Sequence, residues 1–195
     1  MSCERSEAIS VFLEITQLEI AIPRFVGLLA MTPEAGFLSI LSHRIHKEER
    51  MAKILLIQGS NMSLLGIRQP EIYGSTTSAE LDRMLLDYAK AKGFELEIFY
   101  TNSEGECIDR IIKAYHDKVA ALVMNPGGFT YSGKAIGDTI KGVRISYVEV
   151  HLSNHFIRDI HSQIAGAAQG VIMGLGIQVY FLGLDAALHL VKQKK

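Results

Sequence analysis

The segment "SYVEVHLSN", residues 146–154, is a strand-like apolar run that stops at His151 and passes into Ser153 and Asn154. Side chains two apart on a strand point to one face, so Glu149 and His151 stand together. An imidazole titrates near neutrality, which leaves three uses open for this one. It is a structural histidine at a sheet edge, a metal ligand, or an acid that gives a proton to a substrate. His155 lies close by, but histidines four apart make a zinc motif on a helix, and the local pattern argues against a helix. No metal site is expected. The loop "GIRQPEIYGS", residues 65–75 with its preceding leucine, holds Arg68 and Tyr73 five positions apart between Gly66 and Gly74. Read alone, Tyr73 is equally an ordinary packed residue of a surface loop.

The elements that would position these residues become clear from residue 51 onward. "KILLIQG" (53–59) is a continuous apolar run, which suits a strand buried on both faces. "TSAELDRMLLDYAKAKG" (77–93) reads as a helix: Thr77 and Glu80 form a capping-box pattern, Leu81, Leu85, Tyr88 and Ala89 share a face, and Gly93 ends it. Strands are expected at 95–100, 120–125, 145–152 and 170–174, and helices at 104–118, 132–142 and 177–193. Alternation of this kind implies a parallel five-stranded sheet with helices on both faces. Ligands then bind beyond the C-terminal strand ends. Four polar clusters should meet on that rim: Asn61, Asn102 to Glu104, Asn125 to Ser132, and His151 to Asn154.

Composition narrows the class. The 195 residues are 48% hydrophobic and 21% charged, ordinary for a globular domain with a sizeable core. A net charge of −1 gives no overall positive field for nucleic acid or an anionic membrane. Cys3 and Cys107 lack C-x-x-C spacing, and two free thiols fit a reducing cytosol. The apolar stretch 11–31 is interrupted by Glu14, Glu19, Pro23 and Arg24, so it is too broken for a membrane span and a poor signal peptide. A cytoplasmic location is expected. Residues 1–50 read as an N-terminal extension, with Met51 opening the working domain at 51–195.

Nucleotide cofactors are not expected. No G-x-x-x-x-G-K-[ST] occurs, and "GSNMSLLG" after the first strand has the wrong spacing for a dinucleotide fingerprint. The segments "ILLIQGSNMSLLGIRQPEIYGSTT", "TNSEGECIDRI", "MNPGGFTYSGKAIGD" and "VEVHLSN" instead resemble, in that order and spacing, the type II 3-dehydroquinate dehydratases. The likeness runs over residues 52–191. It implies a flavodoxin-like α/β three-layer sandwich with a five-stranded parallel sheet. It also implies homo-oligomers, dodecamers built of trimers, that need neither metal nor cofactor. The implied reaction is anti elimination of water from 3-dehydroquinate, a small-molecule substrate, through an enolate to 3-dehydroshikimate.

The same resemblance assigns roles. Tyr73 matches the base, and a phenol that titrates at about 10 needs nearby positive charge to serve at neutral pH, with Arg68 its natural source. Asn61 matches the holder of the water that stabilises the enolate; on its own it is also a common turn residue. His151 matches the general acid, with Glu149 placed to fix its ring. Asn125 matches a substrate-binding position, and the backbone amides of Leu152 and Ser153 match the carboxylate site. Asp138 matches a carboxylate that reaches into a neighbouring subunit's site. Two departures stand out. Tyr131 replaces a histidine, and in "SNHFIRDIHSQ" only Arg158 remains of two arginines, in a segment about three residues short, a change surface loops tolerate. Both changes touch groups that hold ring hydroxyls, so they bear on affinity or substrate identity more than on reaction type. A dehydratase of a related cyclic polyol acid, or a non-catalytic oligomeric binding protein, are the alternatives.

Overall fold

The computed structural model describes residues 51–194, so the expected extension at 1–50 lies outside the described residues. Within them the strands are β1 (Lys53–Ser60), β2 (Glu95–Tyr100), β3 (Ala121–Gly127), β4 (Ser146–His151) and β5 (Gly170–Met173). They form one sheet in the order β2-β1-β3-β4-β5, and every neighbouring pair is parallel. That is the flavodoxin-like doubly wound order, whose ligand crevice opens where the chain turns from building one side of the sheet to the other, between β1 and β3.

The helices are α1 (Pro70–Tyr73), α2 (Ser78–Lys92), α3 (Glu104–His116), α4 (Phe129–Ser132), α5 (Lys134–Val143) and α6 (Gln178–Gln193). The apolar runs of β1 and β3 split by alternation between two cores. Ile54, Leu56 and Val123 pack under Leu81 and Leu85 of α2 and Leu184 of α6. Leu55, Ile57 and Met124 pack under Ile111 of α3 and Ile140 of α5. Three layers follow from that alternation. Burial on the second face pushes the free thiol of Cys107 up to about 12, with the nearby Glu104 charge adding to the effect. Among the described residues no helix is long and apolar enough to cross a membrane.

Helix ends follow their local chemistry. The Thr77 hydroxyl accepts from the Glu80 amide while the Glu80 carboxylate accepts from the Thr77 amide, and Gly93 closes α2 in the left-handed region. Tyr88, expected on the inner face, is only partly covered: its ring packs edge-on against Phe181 at 5.1 Å and its hydroxyl donates to Asp185 at 2.8 Å. The helix expected at 104–118 ends at His116, because Lys118 turns left-handed (φ 56) and lets the Val119 amide reach the Ala114 carbonyl at 2.9 Å. The helix expected at 132–142 is two helices broken at Gly133. A Cβ there would lie 2.6 Å from Ile164 Cδ1 and 2.8 Å from the Phe129 carbonyl oxygen.

The crevice itself depends on a close backbone approach. A Cβ on Gly59 of β1 would sit 2.2 Å from the carbonyl oxygen of Pro126 in β3. Gly59→Ala is therefore expected to lower the unfolding free energy by about 1 to 3 kcal/mol. Gly142→Ala, on helix α5 where an added Cβ meets nothing, is expected to leave stability unchanged or raise it by up to about 1 kcal/mol. Urea midpoints of both variants check this, and equal midpoints would contradict it.

Candidate active site

Strand β1 leaves the sheet at Asn61, which takes a left-handed conformation (φ 71). Its amide donates to Asn102 Oδ1 at 2.9 Å, and its side chain donates to Ser60 Oγ at 3.3 Å. The loop after Asn61 passes through a 3-10 turn and α1 before reaching the Thr77 cap, and both Gly66 (φ 78) and Gly74 (φ 85) use conformations that other residues resist. Tyr73 at the end of α1 is half-buried and packs on the first core, while Arg68 is exposed.

Strand β3 delivers Asn125, which is 3% exposed. Its Oδ1 accepts from the Gly127 amide at 3.2 Å, and its Nδ2 donates to the Tyr180 hydroxyl at 2.9 Å. Tyr131, two residues into α4, is 66% exposed, so its ring stands in the cavity wall without a buried anchor.

Strand β4 delivers the pair read from the sequence. Glu149 is fully buried, with Oε1 2.7 Å from His151 Nε2 and Oε2 accepting from the Tyr147 hydroxyl at 2.8 Å. Burial, reinforced by the Glu149 charge, holds the Tyr147 phenol well above its ordinary range, so it remains a donor. A carboxylate is acceptor-only, so Nε2 carries a proton toward it and Nδ1 of His151 is left to give or take one. The loop after β5 braces the turn: the Gly174 amide donates to the His151 carbonyl at 3.1 Å and the Gly176 amide to the Leu152 carbonyl at 3.0 Å. "GLG" at 174–176 thus supports the turn that follows His151.

His155 is the residue that sequence reasoning weighed only as a metal ligand. It is 4% exposed and stacks edge-on against His151 with ring centroids 4.3 Å apart. Its Nδ1 faces the Ile160 carbonyl at 2.6 Å and must carry a proton there, while Nε2 is buried without a protein partner. Burial lowers its proton affinity, and the His151 and Arg158 charges add to that against the opposing Ile160 hydrogen bond. Arg158 donates from Nη2 to Ser153 Oγ at 2.9 Å. Among the described residues no group of three His, Cys, Asp or Glu side chains is placed to hold a metal ion.

These strand ends enclose a cavity of about 290 Å³. Asn61, Arg68, Tyr73, Asn125, Tyr131 and His151 all line it, joined by Leu152, Ser153, His155 and Arg158. Glu149 stands behind His151 and does not line it. Asp138 is exposed on α5 and is not brought to this cavity. The cluster Asn102 to Glu104, expected on the rim, is also absent from the lining; Asn102 instead clamps the Asn61 turn from the side. The lining holds two arginines and two histidines but no carboxylate, which favours a small anionic ligand.

Comparison with known proteins bears on the whole of this region. The family model for class II dehydroquinases matches residues 52–188. The chain is 44% identical over 146 residues to the 3-dehydroquinate dehydratase of Thioalkalivibrio sulfidiphilus, covering 73% of this chain and 99% of that protein. It is 46% identical over 142 residues to the 3-dehydroquinate dehydratase of Polynucleobacter asymbioticus, covering 71% and 95%. The crystal structure of a type II dehydroquinase from Butyrivibrio crossotus superposes with a TM-score of 0.68 at 36% identity, covering 71% of this chain and 98% of that one. A parallel β2-β1-β3-β4-β5 sheet, with a carboxylate-free cavity at its switch point, thus coincides with the stretch that these proteins share, and this chain belongs to the class II dehydroquinase family.

Proposed function

We infer that the chain is a hydro-lyase that dehydrates 3-dehydroquinate to 3-dehydroshikimate, with its chemistry carried by Tyr73 and His151. The observation that supports this best is their meeting, with Arg68, on one small cavity free of carboxylates. Tyr73, aided by the Arg68 guanidinium, takes the proton alpha to the ketone. Asn61 holds a water against the enolate oxygen as charge develops there. His151, ring fixed by Glu149, gives the Nδ1 proton to the departing hydroxyl, and water leaves. The amides of Leu152 and Ser153 take the substrate carboxylate, with Arg158, already bonded to Ser153, adding positive charge beside it. Asn125 and Tyr131 hold ring oxygens.

Residues 51–195 are the catalytic domain, preceded by an extension, and the protein works in the cytoplasm. Asp138, exposed on α5, reaches a neighbouring subunit's site in a dodecamer of trimers. Light scattering tests this: twelve 21.6 kDa chains give about 260 kDa, and a monomer would refute it. One feature favours a second substrate, a related cyclic polyol acid: Tyr131 is poorly anchored where family members usually place a histidine.

Turnover is read from the enone absorbance of the product. The wild type is expected to form 3-dehydroshikimate, and Tyr73→Phe and His151→Ala each to lower kcat by about 10²- to 10⁴-fold. Glu149→Gln should lower kcat by about 10- to 100-fold with little change in KM, since it disturbs the acid rather than the binding groups. A wild type with no turnover removes the function; turnover that survives both Tyr73→Phe and His151→Ala removes the assigned roles.

A further inference from the structure

Asn125 is fixed from behind by two residues that do not line the cavity. Its Nδ2 donates to the Tyr180 hydroxyl at 2.9 Å, and that hydroxyl donates to Gln58 Oε1 at 2.8 Å. Tyr180, on α6, and Gln58, on β1, are both fully buried. Gln58 and Asn125 are register partners across the β1–β3 pair, so the chain of bonds bridges the strands that form the crevice.

The direction of this chain is unique. Amide oxygen and nitrogen can be exchanged by a half-turn, and a hydroxyl can rotate, but a backbone N–H cannot become an acceptor. The Gly127 amide, 3.2 Å from the Asn125 side chain, therefore requires Oδ1 at that point. Nδ2 must then face Tyr180, whose oxygen accepts, and whose single proton must go on to Gln58. Gln58 Oε1 is taken by Tyr180, and the Tyr100 hydroxyl is the polar group in reach of the rest of its side-chain amide.

We propose that Gln58 and Tyr180 are positioning residues that lock the Asn125 amide in one orientation, so that the cavity meets it as a fixed recognition group for an oxygen of a hydroxylated ring acid. This deepens, and rests on, the dehydratase reading. Without Tyr180 the Asn125 side chain would be held at Oδ1 alone by the Gly127 amide, and swinging about that single bond would leave its remaining donor without a fixed direction. The lock makes its spare Nδ2 hydrogen and spare Oδ1 lone pair distinct in place.

The test is a double-mutant cycle of Tyr180→Phe with Asn125→Ala, read on KM and kcat and also on the dissociation constant of 3-dehydroshikimate by calorimetry. Tyr180→Phe is expected to raise KM and the dissociation constant by about three- to tenfold with kcat nearly unchanged. In the Asn125→Ala background it should add nothing, because the residue it acts through is gone. Equal effects in both backgrounds would reduce Tyr180 to packing and overturn the proposal. Should Tyr180→Phe fail to fold, Gln58→Met is read in the same cycle with the same expectation. A ligand-free measurement separates this from failure of the function: the side-chain amide of Asn125, followed by 15N NMR and assigned by its loss in Asn125→Ala, should exchange slowly in the wild type. Fast exchange there overturns the lock even if turnover is normal, and slow exchange without any turnover sinks only the dehydratase reading.

Discussion

A carboxylate with no solvent exposure, Glu149, stands toward the C-terminal end of strand β4, between β3 and β5. Burying such a charge alone is costly, and the cost is met only when each oxygen finds a donor. Here both do: the Tyr147 hydroxyl serves Oε2, and the ring of His151 serves Oε1. Tyr147, Glu149 and His151 alternate along one strand face, so the strand's own period of two builds the triad. The same two contacts that make the buried charge tolerable decide which nitrogen of His151 is turned toward the carboxylate. On the proposed mechanism, stability and function therefore share one arrangement, and disturbing either oxygen disturbs both.

The rest of the fold serves to bring other groups to that imidazole. Placing β1 and β3 side by side, with β2 and β4 outside them, opens the sheet at their C-terminal ends. The close approach of Gly59 to Pro126 draws the Asn61 and Asn125 turns together, and the Gly128 amide bonds the Ser60 carbonyl at 2.9 Å across the same gap. The loop carrying Arg68 and Tyr73 is then tethered at one end by Asn102 and at the other by the Thr77 cap. A segment with two glycines at positive φ between firm anchors is suited to move as a cover, as lids over reacting ligands do.

Much of this was legible in the sequence because it is local. The capping box, the continuous apolar strands and the Glu149–His151 face each depend on residues within a few positions of one another. What was not legible is long-range. Gln58 and Tyr180 are separated by 122 residues, and Tyr180 and Asn125 by 55, so no periodicity links them. Asn102 was expected to face ligand, but its side chain closes a turn 41 residues away. His155 was judged by a ligand spacing that needs a helix, whereas a 3-10 turn after β4 folds it back onto His151. The tight fit of Gly133 against Ile164, 31 residues further along the chain, arises only in the packed structure.

The buried Glu149 dictates where protons sit on its neighbours. Neutron diffraction from deuterium-exchanged crystals of the ligand-free protein tests it most directly. Deuterium on His151 Nε2 pointing at Glu149, and on the Tyr147 hydroxyl pointing at the other carboxylate oxygen, is the predicted result. Deuterium on Glu149 itself, or a His151 ring carrying it only on Nδ1, would contradict the account.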